Sequence, residues 1–250
     1  MATKNSSSQI NNVLIIALVL AAFAIGILWN KSNSAPSSTT TGGDNQQAQQ
    51  DSGTPIADIA AKAGVDKNKF TACMKDGKFK SKVQSQLDTS LKGGVPGTPT
   101  TILVELKTNR SKVIFNALPF DGSGGYKEMI DGFVAGTVKQ EDQDPKVTFD
   151  KIDFKKDVWY GSENAKYAVL VFEDLQCPAC RAFHPTMQKV KTDYADKVVV
   201  VYRHFPLTSI HPKAFPLAEG AECVLDQKGK EAMWQYVNEV FAVGGETIKI

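Results

Sequence analysis

The 250-residue sequence has no excess of either charge, because 29 Lys and Arg residues are matched by 27 Asp and Glu residues. It therefore lacks the basic surface that nucleic-acid binding requires, and no nucleic-acid partner is expected. Only four cysteines are present, too few to build a small protein from disulfides alone. The hydrophobic share of 42% is ordinary for a globular protein and excludes a chain that is disordered throughout.

The N-terminus lacks charge altogether between residues 5 and 30. Residues 13–29 are 17 consecutive apolar or glycine residues, close to the shortest helix that crosses a bilayer. Trp29 and Lys31 are typical of the membrane interface. We therefore expect residues 1–30 to form a single-pass transmembrane anchor.

A cleaved secretory signal peptide is the alternative to this anchor. Such peptides have an apolar region of about 7–15 residues and a small-x-small cleavage site, which Asn33-Ser34-Ala35 matches poorly. Under either interpretation the remainder of the chain is exported. The expected location is the cell membrane, with the folded part in the cell envelope, either in the periplasm or on the outer face of the membrane.

Residues 31–55 lack an apolar pattern, and 18 of these 25 residues are Ser, Thr, Gly, Gln or Asn. Such a segment buries too little surface to offset its ordering entropy, so we expect a flexible linker. Its typical reach is roughly 28 Å.

Two regions with helix and strand patterns follow, residues 56–135 and residues 151–250, joined by a polar connector at 136–150. In the first region helices are expected at 56–64, 67–77, along Phe79, Val83, Leu87 and Leu91, and at 126–134, with strands at 102–104 and 112–116. In the second, strands are expected at 167–172 and 198–202 and helices at 211–226 and 230–243. The uninterrupted apolar run at 167–172 is typical of a strand buried on both faces.

The chemical signal is Cys177-Pro178-Ala179-Cys180, which lies between the strand at 167–172 and a helical pattern. This order places Cys177 at a helix N-terminus, where free N–H groups and the macrodipole favour a thiolate. Such a cysteine is a nucleophile at neutral pH. Cys180 lies one turn further on, where it can close a disulfide with Cys177, and Pro178 suits the first turn of the helix.

A structural zinc site is the alternative for this motif, since Cys-x2-Cys is half of many zinc sites. The sequence has no second close pair of Cys or His residues. His184, His204 and His211 are the available histidines, and they are most simply structural polar residues. We expect no metal and no cofactor other than a redox-active disulfide.

The residues 172–180, Phe-Glu-Asp-Leu-Gln-Cys-Pro-Ala-Cys, resemble the active-site segment of DsbA-like thiol–disulfide oxidoreductases of the thioredoxin fold. Residues 202–207, 211–216 and 221–223 are similar to further segments of that family. Residues 94–100, Gly-Val-Pro-Gly-Thr-Pro-Thr, resemble its cis-proline loop. The resemblance implies an α/β thioredoxin-like fold with a helical insertion, over residues 56–135 and 147–243.

The resemblance also implies roles for individual residues. Pro99 would be cis and face the cysteines, although the local sequence alone permits a trans turn proline equally well. Thr98, Pro178 and Ala179 would contact an extended substrate. Asp174 and Glu173 are candidates for the proton relay of Cys180, or are simply solvated acids.

Cys73 and Cys223 match helices that carry a structural disulfide in some members of the family. The resemblance therefore implies a Cys73–Cys223 bond. Two buried free thiols are the alternative.

The order of the two halves differs from the family, in which the Cys-x-x-Cys segment comes first. Here Pro99 precedes Cys177 by 78 residues. We interpret this order as a circular permutation, with the connector joining the former termini. Two incomplete fragments of neighbouring proteins, or a dimer that exchanges halves, are the alternatives to one monomeric domain.

The sequence therefore predicts a membrane-anchored protein-disulfide oxidoreductase that acts on exported, cysteine-containing proteins. Its recycling partner would be a membrane quinone-linked thiol oxidase, similar to DsbB or VKOR. A reductase or isomerase of the same fold, a non-catalytic or zinc-stabilised binding module, and an inactive rearranged chain remain alternatives.

Overall fold

The computed structural model describes residues 53–141 and 144–250. The expected transmembrane anchor and nearly all of the expected linker lie outside the described residues. Among the helices of the described residues, none has the length and the apolar composition needed to cross a membrane.

The first region folds into four helices and two long strands. The helices are α1 (Ile56–Lys62), α2 (Lys67–Asp76), α3 (Lys80–Lys92) and α4 (Tyr126–Val134). A short strand β1 (Thr54–Pro55) precedes them, and β2 (Thr100–Glu105) and β3 (Ser111–Phe115) lie between α3 and α4. Helix α2 begins where the Asp66 side chain accepts the Lys69 N–H and ends at Gly77, whose φ of 62° suits glycine.

The second region supplies three strands, three helices and a short C-terminal strand. The strands are β4 (Val158–Tyr160), β5 (Tyr167–Glu173) and β6 (Val198–His204), and the helices are α5 (Pro178–Asp193), α6 (Ala214–Lys228) and α7 (Lys230–Val243). A 3-10 turn at Gly245–Thr247 leads into β7 (Ile248–Lys249), which pairs in parallel with β1.

Both regions contribute to one five-stranded sheet with the order β3-β2-β5-β6-β4. Strands β5 and β6 are parallel, and the other neighbours are antiparallel. Within this sheet the two regions meet in the β2–β5 pairing, which sets Thr100 opposite Phe172. Because Thr100 directly follows Pro99 and Phe172 lies five residues before Cys177, this register brings the proline loop and the cysteine motif to the same edge of the sheet.

The sheet is buried on both faces, as the apolar run at 167–172 predicts. Val169 and Val171 face one apolar core, which contains helices α1, α2 and α4 to α7. Ala168, Leu170 and Phe172 face a second core under α3. The side chains of β5 alternate between these cores because successive residues of a strand point to opposite faces.

The connector is a structural element rather than a simple joint. Val147, Phe149, Ile152 and Phe154 pack onto the second core, so the covering segment extends beyond residue 150. The Thr148 N–H donates to the Gly93 carbonyl at 2.8 Å. A Cβ on Gly93 would lie only 2.1 Å from the Thr148 carbonyl oxygen, which explains the glycine at the end of α3.

The helix expected along Phe79, Val83, Leu87 and Leu91 is confirmed over Lys80–Lys92, with Leu91 55% exposed. One sequence-based expectation about local structure is wrong: residues 211–213 are not helical, and α6 begins at Ala214. The three-residue edge strand β4 was not anticipated, since three residues are too few for a pattern to emerge.

Cys73 on α2 and Cys223 on α6 form a disulfide across 150 residues of sequence. Their Cα atoms are 6.0 Å apart. The bond links a helix of the first region to a helix of the second, on the core side that contains the active-site helix α5.

Candidate active site

Cys177 lies at the N-cap of α5, directly before Pro178. Strand β5 ends at Glu173, and a short turn carries the chain from there to the helix. Only 7% of Cys177 is exposed and Cys180 is fully buried, and both are free thiols. The helix N-terminus therefore presents one sulfur toward the surface and holds the second beneath it.

The surroundings of Cys177 favour its thiolate. A hydrogen bond from the Cys180 thiol lowers the pKa of Cys177 most strongly, and this outweighs the opposing effect of burial. The Cys180 N–H, Thr98 and the Ala179 N–H add to the effect, so that the pKa of Cys177 falls to about 5. At neutral pH Cys177 is therefore ionised and nucleophilic.

Cys180 has the opposite character. Burial raises the pKa of Cys180 well above its ordinary value, and the proximity of the Cys177 sulfur and the charge of Glu173 raise it further. Its sulfur accepts the Asp174 N–H at 3.4 Å. The motif thus pairs an exposed-side thiolate with a buried thiol, which is the division between an attacking and a resolving cysteine.

The proline loop faces Cys177. The Thr98–Pro99 peptide bond is cis, and the Cys177 sulfur lies 3.7 Å from the Thr98 carbonyl oxygen. Pro99 is buried and Thr98 is half-buried, while Pro178 and Ala179, which directly follow Cys177, are exposed. The structure therefore brings the expected substrate contacts Thr98, Pro178 and Ala179 together around one sulfur atom.

Asp174 is a hub of hydrogen bonds under the cysteine turn. Its Oδ1 accepts the Gln176 and Cys177 N–H groups at 2.7 and 3.1 Å. Its Oδ2 accepts the Leu207 N–H at 2.8 Å and lies 2.9 Å from Nδ1 of His211. With four neighbours on two oxygens, Asp174 ties the turn before α5 to the loop after β6.

Glu173 is placed differently from Asp174, although the two are adjacent. Its side chain is buried, Oε2 lies 3.3 Å from Nδ1 of His184, and Oε1 has no hydrogen-bond partner. The Tyr202 hydroxyl nearby also lacks a partner, and burial, followed by the charge of Glu173, raises the pKa of Tyr202. Of the two acids, Glu173 is the one with a carboxylate oxygen that lacks a partner, and its charge acts on Cys180.

Sequence reasoning missed the site roles of His184 and His211. Each is buried or nearly so and each approaches one of the two acids before the motif. The available signal was position: His184 lies at i+4 from Cys180, on the same face of α5. His211 lies on a loop, where no periodic pattern points to its neighbour.

Arg181 and His204 pair with acids outside the cysteine motif. Arg181 is nearly half-exposed and pairs with Glu246 at 3.5 Å. His204 lies 3.6 Å from Glu222, and Lys82 bonds the other oxygen of that carboxylate. Within residues 53–141 and 144–250 the structure holds no group of three or more Cys, His, Asp or Glu side chains arranged for a metal ion.

Two family profiles match the chain, one for each half. The profile described as a DSBA-like thioredoxin domain matches residues 43–123, and the profile described as thioredoxin matches residues 153–248. The first range contains Pro99 and the second contains both active-site cysteines.

Curated relatives match shorter stretches. The Na(+)/H(+) antiporter NhaA 1 of Salinispora arenicola is 34% identical over 95 residues, which is 38% of this chain and 14% of the antiporter. NhaA 1 of Mycolicibacterium gilvum is 31% identical over 90 residues, or 36% of this chain and 14% of that protein. The chain therefore spans only a small part of the length of these relatives.

A solved structure is also similar in part. Pseudomonas aeruginosa DsbA2 is 28% identical to this chain, with a TM-score of 0.34 over 36% of this chain and 50% of that one. The two matched ranges lie on either side of the connector. The first contributes Pro99 and the second contributes Cys177 and Cys180 to one site. The two profile matches support a DsbA-like thioredoxin-fold family for this chain.

Proposed function

We propose that the protein is a membrane-anchored, extracytoplasmic thiol–disulfide oxidoreductase that forms or exchanges disulfides in exported proteins. The observation that supports this most directly is the opposite shift of the two cysteines, a pKa of about 5 for Cys177 and a raised pKa for Cys180. Two thiols with a purely structural role do not need different pKa values. A nucleophilic thiol and a resolving thiol do need them.

The reaction runs through the Cys177–Cys180 disulfide. A substrate thiolate attacks the Cys177 sulfur, a substrate–Cys177 disulfide forms, and Cys180 leaves as a thiolate that takes up a proton. A second substrate thiolate then attacks the substrate sulfur and releases the Cys177 thiolate. The substrate loses two electrons, and a membrane quinone-linked thiol oxidase, similar to DsbB or VKOR, would take them from the reduced protein.

The loop geometry supports a substrate site beside Cys177. The Thr98 backbone, next to the cis Pro99, can pair with an extended peptide whose sulfur meets the Cys177 sulfur. Pro178 and Ala179, directly after Cys177, are exposed, and they would contact the same peptide.

We assign different roles to the two acids. Glu173, with its free oxygen, is the proton partner of Cys180, and Asp174, with all four neighbours in place, is a positioning residue for the turn. We expect Glu173→Gln to slow the step in which Cys180 gains or loses its proton by at least about tenfold. Asp174→Asn should instead lower the free energy of unfolding by about 1–3 kcal/mol, because a buried acceptor is lost. Stopped-flow kinetics and denaturant unfolding distinguish the two effects.

The membrane location rests on the uncharged residues 13–29 and is consistent with relatives whose printed names are those of membrane antiporters. The unusual chain order, with β2 before β5, is accounted for by circular permutation of the family domain. Sedimentation of the full chain in detergent tests this: a monomer that carries disulfide-exchange activity is expected. A dimer that exchanges its halves would contradict the permuted monomer.

The direction of catalysis is the remaining part of the proposal. We assign oxidation, because a thiolate that is stabilised in the reduced form makes the disulfide a better oxidant. The decisive experiment is transfer of the disulfide from the purified, oxidised full chain to a reduced two-cysteine peptide, with Cys177→Ser as the control. Absence of transfer would contradict the function, and Cys177 and Cys180 found reduced in the native membrane would favour a reductase or isomerase.

A further inference from the structure

The buried histidine beneath the resolving cysteine is His184. It lies one helical turn after Cys180 on α5 and only 1% of it is exposed. The rings of Trp234 and Phe241, both on α7, lie 5.0 and 4.8 Å from its ring centre. An imidazole that is enclosed in this way needs a partner for each nitrogen.

The partner of Nε2 fixes where one hydrogen of His184 lies. Nε2 is 2.8 Å from Oδ1 of Asn238, and the Gln188 amide donates to the same oxygen at 2.9 Å. An oxygen that accepts from Gln188 cannot donate to His184. Nε2 therefore carries a hydrogen and donates it to Asn238.

The partner of Nδ1 is Oε2 of Glu173, at 3.3 Å. Without a proton between them, two lone pairs would face each other in a buried site. With one proton the pair is either carboxylate and imidazolium or carboxylic acid and imidazole. Both forms carry no net charge, so burial penalises neither as it would a single ion.

We infer that His184 is a positioning residue for the resolving step: together with Glu173 it holds one shared proton beneath Cys180, and this proton is delivered to Cys180 when the disulfide opens. The inference rests on the proposed function and adds the residue that keeps a proton available at Glu173.

Proton transfer to Cys180 accompanies the opening of the Cys177–Cys180 disulfide. The Cys177–Cys180 bond breaks as the substrate thiolate attacks Cys177, and Cys180 leaves with the electron pair. The shared proton moves to the Cys180 sulfur, and the pair takes up another proton from solvent, so that Glu173 and His184 share one proton in the reduced form as well. On reoxidation by the membrane thiol oxidase, the Cys180 thiol attacks the mixed disulfide and its proton leaves through the pair to solvent.

The other groups around the pair are consistent with this assignment. Cys177 and Cys180 lie on α5, and Tyr202 on β6 faces Glu173 with a partnerless hydroxyl. Asp174 is adjacent, with its oxygens occupied by the turn and by His211. Burial lowers the pKa of His184, but the charge and hydrogen bond of Glu173 more than offset it, so the pKa of His184 is raised.

The test measures the rate at which a small thiol opens the Cys177–Cys180 disulfide of the full chain as a function of pH. Each rate is divided by the fraction of the small thiol that is ionised at that pH. His184→Asn places an amide near Glu173 and His184→Gln keeps a group near Asn238, but neither offers a titrating nitrogen. We expect both to slow opening by at least about tenfold and to abolish the decline of the wild-type rate at high pH. The pKa of Cys177 should be unchanged at about 5.

Phe241→Leu is the matched control, because it loosens the packing on the His184 ring and leaves the shared proton in place. It should lower stability and leave the pH profile unchanged. Unchanged profiles in both His184 variants would overturn the inference while disulfide transfer by the wild type still supported the proposed function. Loss of transfer in the wild type itself would overturn the function.

Nitrogen-15 NMR of the His184 ring tests the same point without any His184 variant. The wild type should show a hydrogen on Nε2 and a shared proton at Nδ1. Glu173→Gln should convert Nδ1 to a plain acceptor. An Nδ1 signal that is the same in the wild type and in Glu173→Gln would overturn the inference.

Discussion

The four cysteines form two pairs that differ in which backbone N–H groups reach the sulfur atoms. Cys177 lies at the start of α5, where the N–H groups of Ala179 and Cys180 contribute to lowering its pKa. Cys73 lies in the last turn of α2 and Cys223 lies within α6. There the backbone N–H groups are used by the helix itself, so none points at the sulfur atoms.

The surroundings of the two pairs extend this contrast. Next to Cys177 and Cys180 lie the polar groups of Thr98, Asp174 and Glu173. Cys223 is fully buried within the apolar core, with Cys73 packed against it. The same side chain thus becomes a redox centre at a helix N-terminus and a fixed link between helices within an apolar core.

The largest expected effect is on turnover, from Cys180→Ser. Cys177 should still attack disulfides, but the mixed disulfide cannot be resolved, so turnover should fall to the uncatalysed level and a trapped adduct should accumulate. Non-reducing electrophoresis and mass spectrometry measure the adduct. The double variant Cys73→Ala/Cys223→Ala should retain turnover. Equal loss of activity in both would remove the distinction between the pairs.

The next effect is on stability, from that same double variant. Removing the Cys73–Cys223 bond frees the unfolded chain across 150 residues of sequence, and we expect the free energy of unfolding to fall by about 2–4 kcal/mol. Denaturant unfolding measures this change. The reference is wild-type protein with Cys177 and Cys180 in the same redox state as in the variant. An unchanged unfolding midpoint would contradict a structural role for this bond.

The contrast between the pairs was only partly accessible from the sequence. The reactive role of Cys177 follows from a strand, a turn and a helix that are contiguous in the chain, so local patterns suffice. The Cys73–Cys223 pairing depends on two helices far apart in sequence, and only the family resemblance suggested it. The contacts of Asp174 with His211, and of His184 with Asn238, lie between distant segments and leave no periodic signal.

The connector shows the same limit on a larger scale. Its polar composition predicted a simple joint at 136–150, yet four apolar side chains within 147–154 cover one face of the sheet. The spacing of these side chains is irregular, so neither a helix nor a strand pattern appears. Their burial depends on β5 and β6 presenting apolar residues to both faces, which is a property of the assembled sheet.

The third expected effect is a pH dependence of the free energy of unfolding. Of the two cysteine pairs, only the reactive pair produces it. The pKa of Cys177 is depressed from 9.0 to about 5, so its thiolate stabilises the folded, reduced protein fully above pH 9. This contribution is lost as pH falls from 9 to about 5. The raised pKa of Cys180 acts in the opposite direction and only above its unfolded value of 9.0.

Denaturant unfolding of the reduced and oxidised forms between pH 5 and pH 9 measures this dependence. The free energy of unfolding of the reduced wild type should fall relative to that of the oxidised form as pH falls. Cys177→Ser should show no such change. Thiolate absorbance should report the same midpoint. A reduced form whose stability is flat across this window would contradict an ionised Cys177.

The smallest effect is expected from Ala179→His, which adds a cationic donor beside the reactive pair and none beside the structural pair. A positive charge near the Cys177 thiolate stabilises the reduced form, so the disulfide should become more oxidising. We expect a change of roughly tenfold in the equilibrium with glutathione, or about 30 mV. Ala179→Gln, which adds a polar side chain without charge, is the control.

The limited size of that effect follows from the site as it stands. The Cys180 thiol, the backbone N–H groups and Thr98 already hold the pKa of Cys177 at about 5 without any cation at position 179. Ala179 is exposed, so solvent screens a histidine placed there. A glutathione equilibrium unchanged by Ala179→His would mean that these neighbours alone set the potential. A much larger shift would mean that they contribute less than the geometry indicates.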